Sequence, residues 1–345
     1  MPLDTIYLVR HGNRNNWTID LENNTYIPEF PTPTGNPADP TLNASGIKQS
    51  NELAEYISGD GFEPKPSSVY SSPFYRCVQT IQPVVEALNR KDGSGKGRDL
   101  GVRVRVETGL GEWFGGIPFT LPPPSSATIL KTHFPTCLRA DPEADYTPFI
   151  TPPGRGETLA QLHDRIATTL SAIIAHADAE INAIEAKLSP DTPRTSKAIL
   201  ISSHAAPMIA MGRTLTGQMP KEFSEEDFFV FTAGLSTFVR RGEASGSMSA
   251  SASASAFEGA VEVPDWKGGK GVGGGWECVR NGDTSFLSEG AASGWHFDGE
   301  SSFDTSTTMV KAADVDTKAR VTTAVIDCLV GSPPFSSAVR QTNVA

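Results

Sequence analysis

The chain has 345 residues, a hydrophobic fraction of 38% and a formal net charge of -11 at pH 7. This length suits one large α/β domain with insertions or two small domains, and the modest hydrophobic fraction predicts sizeable loops or tails. The acidic charge argues against direct nucleic-acid binding and against general affinity for acidic membranes, so an anionic substrate would need positive charge concentrated in one pocket.

The spacing of the cysteines and the N-terminal residues indicate the cellular compartment. The four cysteines are widely spaced and form no Cys-x-x-Cys pair, which disfavours zinc ribbons and redox motifs. Residues 1–4 lack the start of a secretory leader, and no segment is long and apolar enough to span a membrane. We therefore expect free thiols, a cytoplasmic or nuclear location or both, no membrane contact, no metal and no cofactor.

The first half of the chain alternates apolar β-forming runs with stretches of helical periodicity. In chain order we predict a strand at 5–11, a long polar loop at 15–40, a helix at about 44–58 capped by Asn43, a short strand at 67–72 and a helix at about 74–89.

The second half continues this alternation. We predict a strand at 102–106, a large loop or lid at 115–155, a helix from about Glu157 to 187 with a possible break, a buried strand at 198–201 that ends in Ser202-Ser203-His204, a helix at about 206–216 and a strand at 235–239. Residues 1–241 are therefore expected to form one domain.

The composition changes after residue 241. Residues 242–275 are rich in Ser, Ala and Gly and are predicted to be a flexible low-complexity insert. Asn281-Gly282-Asp283 between two apolar runs predicts a β-hairpin at 276–287, so that 276–303 extends the main domain. Residues 304–345 are predicted to be either a C-terminal helix, amphipathic over 308–329, or a flexible tail.

Strands that alternate with helices predict an α/β fold, a three-layer α/β/α sandwich around a mostly parallel, mixed central sheet. Ligands of such sheets bind at the carboxyl ends of the strands. Arg10-His11 and His204 follow predicted strands directly, and Arg76 lies one turn beyond another strand. The sequence therefore predicts that these side chains meet at one edge of the sheet.

The residue types at this edge suit a phosphate ester. Arginine binds two phosphate oxygens with its planar fork, and Arg10, Arg14 and Arg76 supply three such groups. Arg76 lies at a helix start, where a cation is disfavoured by the helix dipole unless an anion is also bound. His11 could act as a nucleophile, because the nearby arginines lower the pKa of its imidazole.

A carboxylic acid is needed to protonate the leaving oxygen. Glu112 lies among glycines and beside Trp113, so we expect partial burial to raise its pKa. Glu107 and Glu157 are competitors, and Glu157 suits a helix N-terminus. The remaining histidines are expected to be surface or loop residues: His133, His163, His176 and His296.

Five motifs together resemble the histidine phosphatase superfamily, also called the phosphoglycerate-mutase-like fold, over about residues 5–240. They are Arg10-His11-Gly12, the helix start Thr41-Leu42-Asn43-Ala44-Ser45-Gly46-Ile47-Lys48-Gln49, Ser72-Pro73-Phe74-Tyr75-Arg76 with Gln79-Thr80, Gly156-Glu157-Thr158, and Ser203-His204-Ala205. The motifs look closest to two branches, the tyrosine phosphatase domain of ubiquitin-associated and SH3-containing proteins and the fungal transcription factor IIIC tau subunit.

The resemblance implies that His11 is transiently phosphorylated and that Glu112, in a Gly-Leu-x-Glu-Trp pattern, is the proton donor. It also implies a catalytic role for His204 and a set of phosphate ligands consisting of Arg10, Arg14, Arg76 and His204. Asn13 and Arg14 replace the residues that metabolic mutases usually carry after Arg-His-Gly, which favours a phosphatase.

Three functions remain open on the sequence. The first is a phosphatase acting on a small-molecule or protein phosphate ester. The second is a phosphatase-like scaffold subunit that binds other subunits of transcription factor IIIC. The third is a phosphoglycerate or phosphosugar mutase, which needs a docking site for a second phosphate, and we see no basic cluster in the lid that would supply it.

Overall fold

The structure is a computed structural model and describes residues 3–20, 23, 25–90, 100–115, 120–138, 146–189, 191–193, 195–241 and 262–297. The strands are β1 (Thr5–Arg10), β2 (Trp17–Asp20), β3 (Thr25–Pro28), β4 (Pro66–Ser71), β5 (Val104–Val106), β6 (Ala198–Ser203), β7 (Leu235–Arg240) and β8 (Trp276–Asp283). The α-helices are α1 (Ala44–Ser58), α2 (Tyr75–Leu88), α3 (Ala127–His133), α4 (Leu159–Glu185) and α5 (Ala205–Thr216).

Six strands form the central sheet in the order β5-β4-β6-β1-β7-β8. Strands β5, β4, β6 and β1 are parallel to one another, while β7 and β8 are antiparallel to their neighbours. Parallel strands joined by helical crossovers place their carboxyl ends at one edge. The prediction of a mostly parallel, mixed sheet is confirmed.

The helices cover both faces of this sheet. Successive side chains of β1 alternate between faces, so that Ile6 and Leu8 pack with α4 and α5, while Tyr7 and Val9 pack with α1 and α2. Burial on both faces explains the continuous apolar run of this strand. The arrangement is the predicted three-layer α/β/α sandwich.

Helix α1 begins directly against the loop that follows β1. The Asn43 side chain accepts a hydrogen bond from the backbone N–H of Gly46, as its predicted N-cap role requires. A Cβ atom on Gly46 would lie 1.9 Å from the carbonyl oxygen of Asn13. Gln49 Oε1 accepts from the Asn13 backbone N–H at 2.9 Å. The absence of a side chain at Gly46 therefore lets the helix hold the loop after His11.

We expect Gly46→Ala to lower the free energy of unfolding by about 3 kcal/mol, because the added methyl group meets a backbone oxygen that has little room to shift. Gly61→Ala is the matched control, since a Cβ there meets no atom within 4 Å. It should change stability by less than about 0.5 kcal/mol. Urea unfolding followed by circular dichroism measures both changes, and equal losses would refute the steric explanation.

Two predicted loops contain regular structure. Strands β2 and β3 form a two-stranded antiparallel sheet inside the predicted loop at 15–40. Helix α3 lies inside the predicted lid at 115–155. Both elements are short, and their polar and proline-rich sequences carry too few apolar positions to show a period. The helix predicted at about 157–187 is unbroken and begins after Thr158, whose side chain completes a capping box with Gln161.

The predicted hairpin at 276–287 is wrong. Residues 276–283 form one strand, β8, which passes through Asn281-Gly282 and pairs with β7 instead of turning. Gly282 N–H bonds to the Ser236 hydroxyl and the Asn281 amide oxygen accepts from Phe229 N–H. These bonds to another part of the chain outweigh the local turn propensity.

The predicted insert at 242–275 extends too far. Residues 262–275 pack onto the domain, with Trp266 and Val272 buried against the core that contains α4 and α5. The insert's residues 242–261, the end of the predicted extension at 298–303 and the helix predicted at 308–329 lie outside the described residues. Within the described part of the chain, no helix has the length and apolar character needed to cross a membrane.

Candidate active site

The carboxyl ends of three adjacent strands, β4, β6 and β1, build the candidate site. Arg10 of β1 lies opposite Ser203 of β6 in the register, so His11 and His204 follow side by side, and their ring centroids are 5.4 Å apart. Ser72 continues β4 on the other side of β6, bonded to Ser202. Strand order therefore joins residues that are far apart in the sequence.

His11 is buried, and its ring is oriented by the backbone of the next residue. Its Nδ1 lies 2.8 Å from the carbonyl oxygen of Gly12, which only accepts, so Nδ1 carries the proton. Burial first, and then the positive charge of Arg76, lower the pKa of His11 well below its ordinary value. The neutral ring thus has an unprotonated Nε2, the state that a nucleophile needs.

Arg76 is fully buried at the start of α2. Its Nη1 bonds to the carbonyl oxygen of Ala38 and to Asp39 Oδ1, both at 3.2 Å, and its Nη2 lies 3.2 Å from Glu112 Oε2 and 3.1 Å from His204 Nδ1. Asp39 also accepts from the Tyr75 N–H.

The sequence analysis did not identify Asp39, because it lies in the predicted loop at 15–40. Burial raises the pKa of this carboxyl, although its bonds to Arg76 favour the ionised form. The negative charge of Asp39 offsets part of the energetic cost of burying the Arg76 guanidinium. A buried aspartate four residues before the helix-start motif at Asn43 is a weak signal that sequence alone does not distinguish from a turn residue.

His204 is fully buried between hydrogen-bonding partners on both ring nitrogens. Its Nε2 lies 2.7 Å from the Ser72 hydroxyl. Its Nδ1 lies 3.1 Å from both Arg76 Nη2 and Glu112 Oε2. Burial lowers the pKa of His204 to about 4 despite the opposing charge of Glu112. The neutral ring accepts from Arg76 at Nδ1, and a protonated ring donates to Glu112.

Glu112 lies beside both Arg76 and His204, with 19% of its side chain exposed. Burial favours a raised pKa, but the contacts to His204 and Arg76 outweigh it and hold the pKa of Glu112 at about 2. The expected rise in pKa is therefore wrong, because the sequence shows Trp113 beside Glu112 but not the contacts with Arg76 and His204. The carboxylate is ionised and bonds to the Arg76 guanidinium, which an oxyanion would also contact.

Arg10 and Arg14 add two further positive charges around His11. Arg10 Nη1 donates to the carbonyl oxygens of Val230 and Ser293. Burial, and then the charge of Arg76, lower the pKa of Arg14. A guanidinium stays charged in proteins, so this crowding of cations is an energetic cost that a bound anion offsets. The structure brings together all six of the predicted site residues.

The two competing glutamates have other partners. Glu107 is fully buried and accepts from the Tyr146 hydroxyl and from the Gly109 and Phe149 backbone N–H groups. Glu157 forms a buried ion pair with Arg165. Both carboxylates fasten loops to the core, and neither lies among the groups that surround His11.

One donor set among the described residues suits a metal ion. Single ligand atoms of His11, Glu112 and His204 lie within 4.8 Å of one another. Two neutral imidazoles and a carboxylate are ligands that Zn²⁺ accepts. Three guanidinium groups surround the same point, however, and they repel a dication while attracting an oxyanion. The residues present therefore fit an anion better than a metal.

His163 is not the surface residue that the sequence suggested. Its side chain is buried, its Nδ1 bonds to the Leu159 carbonyl oxygen at 2.8 Å, and its ring stacks on Trp266. Burial lowers the pKa of His163 to about 4. The error follows from the insert prediction, because Trp266 lies in the segment that was expected to be flexible.

We expect His163→Phe to reduce the loss of stability in acid. The pKa of His163 is about 4 in the folded protein and near 6.5 in the unfolded chain, so its contribution is complete above pH 6.5 and is lost as the pH falls toward 4. The phenyl ring keeps the stack on Trp266 without taking up a proton. Urea unfolding at several pH values from 7.5 to 4 should show a slope shallower by about one proton. An unchanged slope in a folded variant would contradict the assignment.

The carboxyl-terminal edge of this mixed α/β sheet thus gathers a neutral histidine, a second buried histidine and three arginines, a combination that suits a multiply charged oxyanion. The sequence model of the histidine phosphatase superfamily, branch 1, matches residues 6–246. The chain belongs to this superfamily, and the predicted phosphoglycerate-mutase-like fold is confirmed.

Three relatives agree with this assignment, and two of them represent the branches that the motifs resemble. The transcription factor tau 55 kDa subunit of Saccharomyces cerevisiae is 28% identical over 306 residues, covering 86% of this chain and 59% of that protein. The ecdysteroid-phosphate phosphatase of Drosophila melanogaster is 26% identical over 242 residues, covering 64% of this chain and 28% of that protein. The human ubiquitin-associated and SH3 domain-containing protein A is 25% identical over 186 residues, covering 53% and 24%. The chain thus spans less than two thirds of each relative's length.

Proposed function

We propose that the protein is a phosphomonoesterase that works through a phosphohistidine at His11. The observation that carries the proposal is the Nδ1 bond to the Gly12 carbonyl oxygen, which leaves Nε2 as the unprotonated nitrogen. Arg10, Arg14 and Arg76 surround this ring with charge that lowers its pKa, and the same charge favours a phosphate dianion. Membership of a superfamily named for phosphatases supports the same reading.

The reaction follows from these positions. His11 Nε2 attacks phosphorus, the bond from phosphorus to the ester oxygen breaks, and the leaving oxygen takes a proton from Glu112. The Glu112 carboxylate then removes a proton from a water molecule, whose oxygen attacks the phosphohistidine. The phosphorus–nitrogen bond breaks, inorganic phosphate leaves, and Glu112 is protonated again.

Glu112 must gain a proton before it can act as an acid. The pKa of Glu112 is about 2, because Arg76 and His204 stabilise its charge. A bound phosphate dianion competes for Arg76 and adds negative charge beside the carboxylate. Both effects raise the pKa of Glu112, so substrate binding itself prepares the acid.

Turnover of an aryl phosphate tests the proposal. We expect release of inorganic phosphate by the wild-type protein, with inhibition by orthovanadate, and no dependence on an added metal. A folded protein that binds orthovanadate but turns over no aryl or alkyl phosphate would reject it. Transfer of labelled phosphate to an acceptor hydroxyl instead of water would favour the mutase alternative.

A scaffold role is the second candidate, and the similarity to a transcription factor tau subunit over 86% of this chain favours it. In this case the domain would bind other subunits of a nuclear assembly. The test is affinity purification of the full chain from nuclear extract. Recovery of transcription factor IIIC subunits, together with a wild-type protein that lacks turnover, would support the scaffold over the phosphatase.

A further inference from the structure

Arg14 is held differently from the other two site arginines. Arg76 has four hydrogen-bonding partners, and Arg10 donates to two backbone carbonyls. Among the described residues, the Arg14 guanidinium donates from Nη1 to the carbonyl oxygen of Asn15 at 2.9 Å. The rest of its orientation must come from another kind of contact.

That contact is the indole ring of Trp17. The Arg14 guanidinium carbon lies 3.7 Å from the ring centroid, and the Arg76 guanidinium carbon lies 5.5 Å from the same ring. Trp17 is only 5% exposed. A cation over a buried indole face is a strong form of this interaction, since tryptophan is the best aromatic partner and little water competes.

The hairpin of β2 and β3 fixes Trp17 independently of Arg14. Trp17 pairs with Pro28 across the two strands, and Tyr26 packs edge-on against the indole at a centroid distance of 6.3 Å. Ala38 and Leu121 complete this small apolar cluster. The indole is therefore a rigid surface that is already in place when an anion enters.

The backbone of Arg14 is also fixed independently of the indole. Arg14 forms a β-bridge with Leu42, its carbonyl oxygen accepts from the Asn43 side chain, and the Asn15 N–H bonds to Thr41. Replacement of Trp17 should therefore release the guanidinium while the chain around Arg14 stays in place.

We propose that Trp17 is a positioning residue that holds the Arg14 guanidinium against its indole face in the orientation that binds phosphate. The inference rests on the proposed function only in taking phosphate as the ligand. Planarity matters here, because a guanidinium stacks on an aromatic face while its edge N–H groups remain directed at an anion. The hairpin thus positions Arg14, one of the three arginines of the anion site.

The experiment is a double-mutant cycle with inorganic phosphate as the probe, measured by isothermal titration calorimetry on the full chain. Trp17→Leu should weaken phosphate binding about tenfold, and Trp17→Phe, which keeps an aromatic face, about threefold. In an Arg14→Ala background, Trp17→Leu should add less than about a twofold loss. Ile27→Ala, an exposed change on the same hairpin, is the matched control and should bind phosphate like the wild type.

Additive losses in the double mutant, or a Trp17→Leu loss no larger than that of Ile27→Ala, would overturn the inference. If Trp17→Leu does not fold, the Trp17→Phe variant carries the same cycle. Failure of the proposed function is distinguishable, because wild-type protein that binds phosphate without turning over an ester rejects the enzyme and leaves the cycle valid. Wild-type protein that does not bind phosphate overturns the inference directly.

Discussion

Replacement of His11 by alanine is expected to reduce aryl phosphate turnover by about 10⁴-fold or more, because it removes the proposed nucleophile. The ring is buried, its Nδ1 is bonded to the Gly12 carbonyl oxygen, and the pKa of the imidazole is lowered by burial and by Arg76. These features leave Nε2 unprotonated at neutral pH. Initial rates with a chromogenic aryl phosphate measure the loss.

His296→Ala is the matched control, because its side chain is 48% exposed and pairs with Glu226 at the surface. It should turn over substrate at the wild-type rate. A labelled phosphate ester adds a direct measurement, since a phosphohistidine trapped by rapid quenching is stable in alkali and labile in acid. Wild-type protein should carry such a label, and His11→Ala should not. Undiminished turnover by a folded His11→Ala variant would remove the proposed nucleophile.

Glu112→Gln is expected to separate substrates by their leaving group. An alkyl phosphate needs a proton on its departing oxygen, so its turnover should fall by about 10²–10⁴-fold. The leaving group of an activated aryl phosphate departs as a stable phenolate, so the kcat/KM for this substrate should fall less than about tenfold. The amide keeps the size of the side chain beside Arg76 and His204 but has no acidic proton to give. The ratio of the two kcat/KM values measures the effect, because kcat/KM excludes the later hydrolysis of the phosphohistidine, which is common to both substrates and also uses Glu112.

The control for this variant is Glu289→Gln, an exposed carboxylate that pairs with Lys48. Neither substrate should respond to it. Equal losses on alkyl and aryl esters in Glu112→Gln would assign Glu112 to binding instead of proton transfer. The low pKa of Glu112 leads to a second expectation, because phosphate binding raises this pKa. Near neutral pH, phosphate binding should be accompanied by proton uptake in the wild-type protein and by less proton uptake in the variant. Calorimetry in buffers of different ionisation enthalpy measures that uptake.

The sequence was sufficient where local pattern and burial agree. The apolar run of β1, the Asn43 cap and the periodic face of α2 are properties of short segments, and each element formed as predicted. Where the pattern was short or the partner distant, the prediction failed. The hairpin prediction at Asn281-Gly282 assumed that a strong turn signal acts alone, whereas β7 and Phe229 supplied better hydrogen bonds.

The sequence by itself determined which groups end the strands, because Arg10, His11 and His204 directly follow apolar β-forming runs. Only the tertiary structure decided the charge states and supports of the site, including the low pKa of Glu112 and the stacking of Arg14 on Trp17. An apolar run is a property of neighbouring residues in the chain, whereas electrostatic and stacking energies fall steeply with distance in space. Contacts of a few ångströms between segments that are far apart in the chain are therefore fixed only when the sheet assembles.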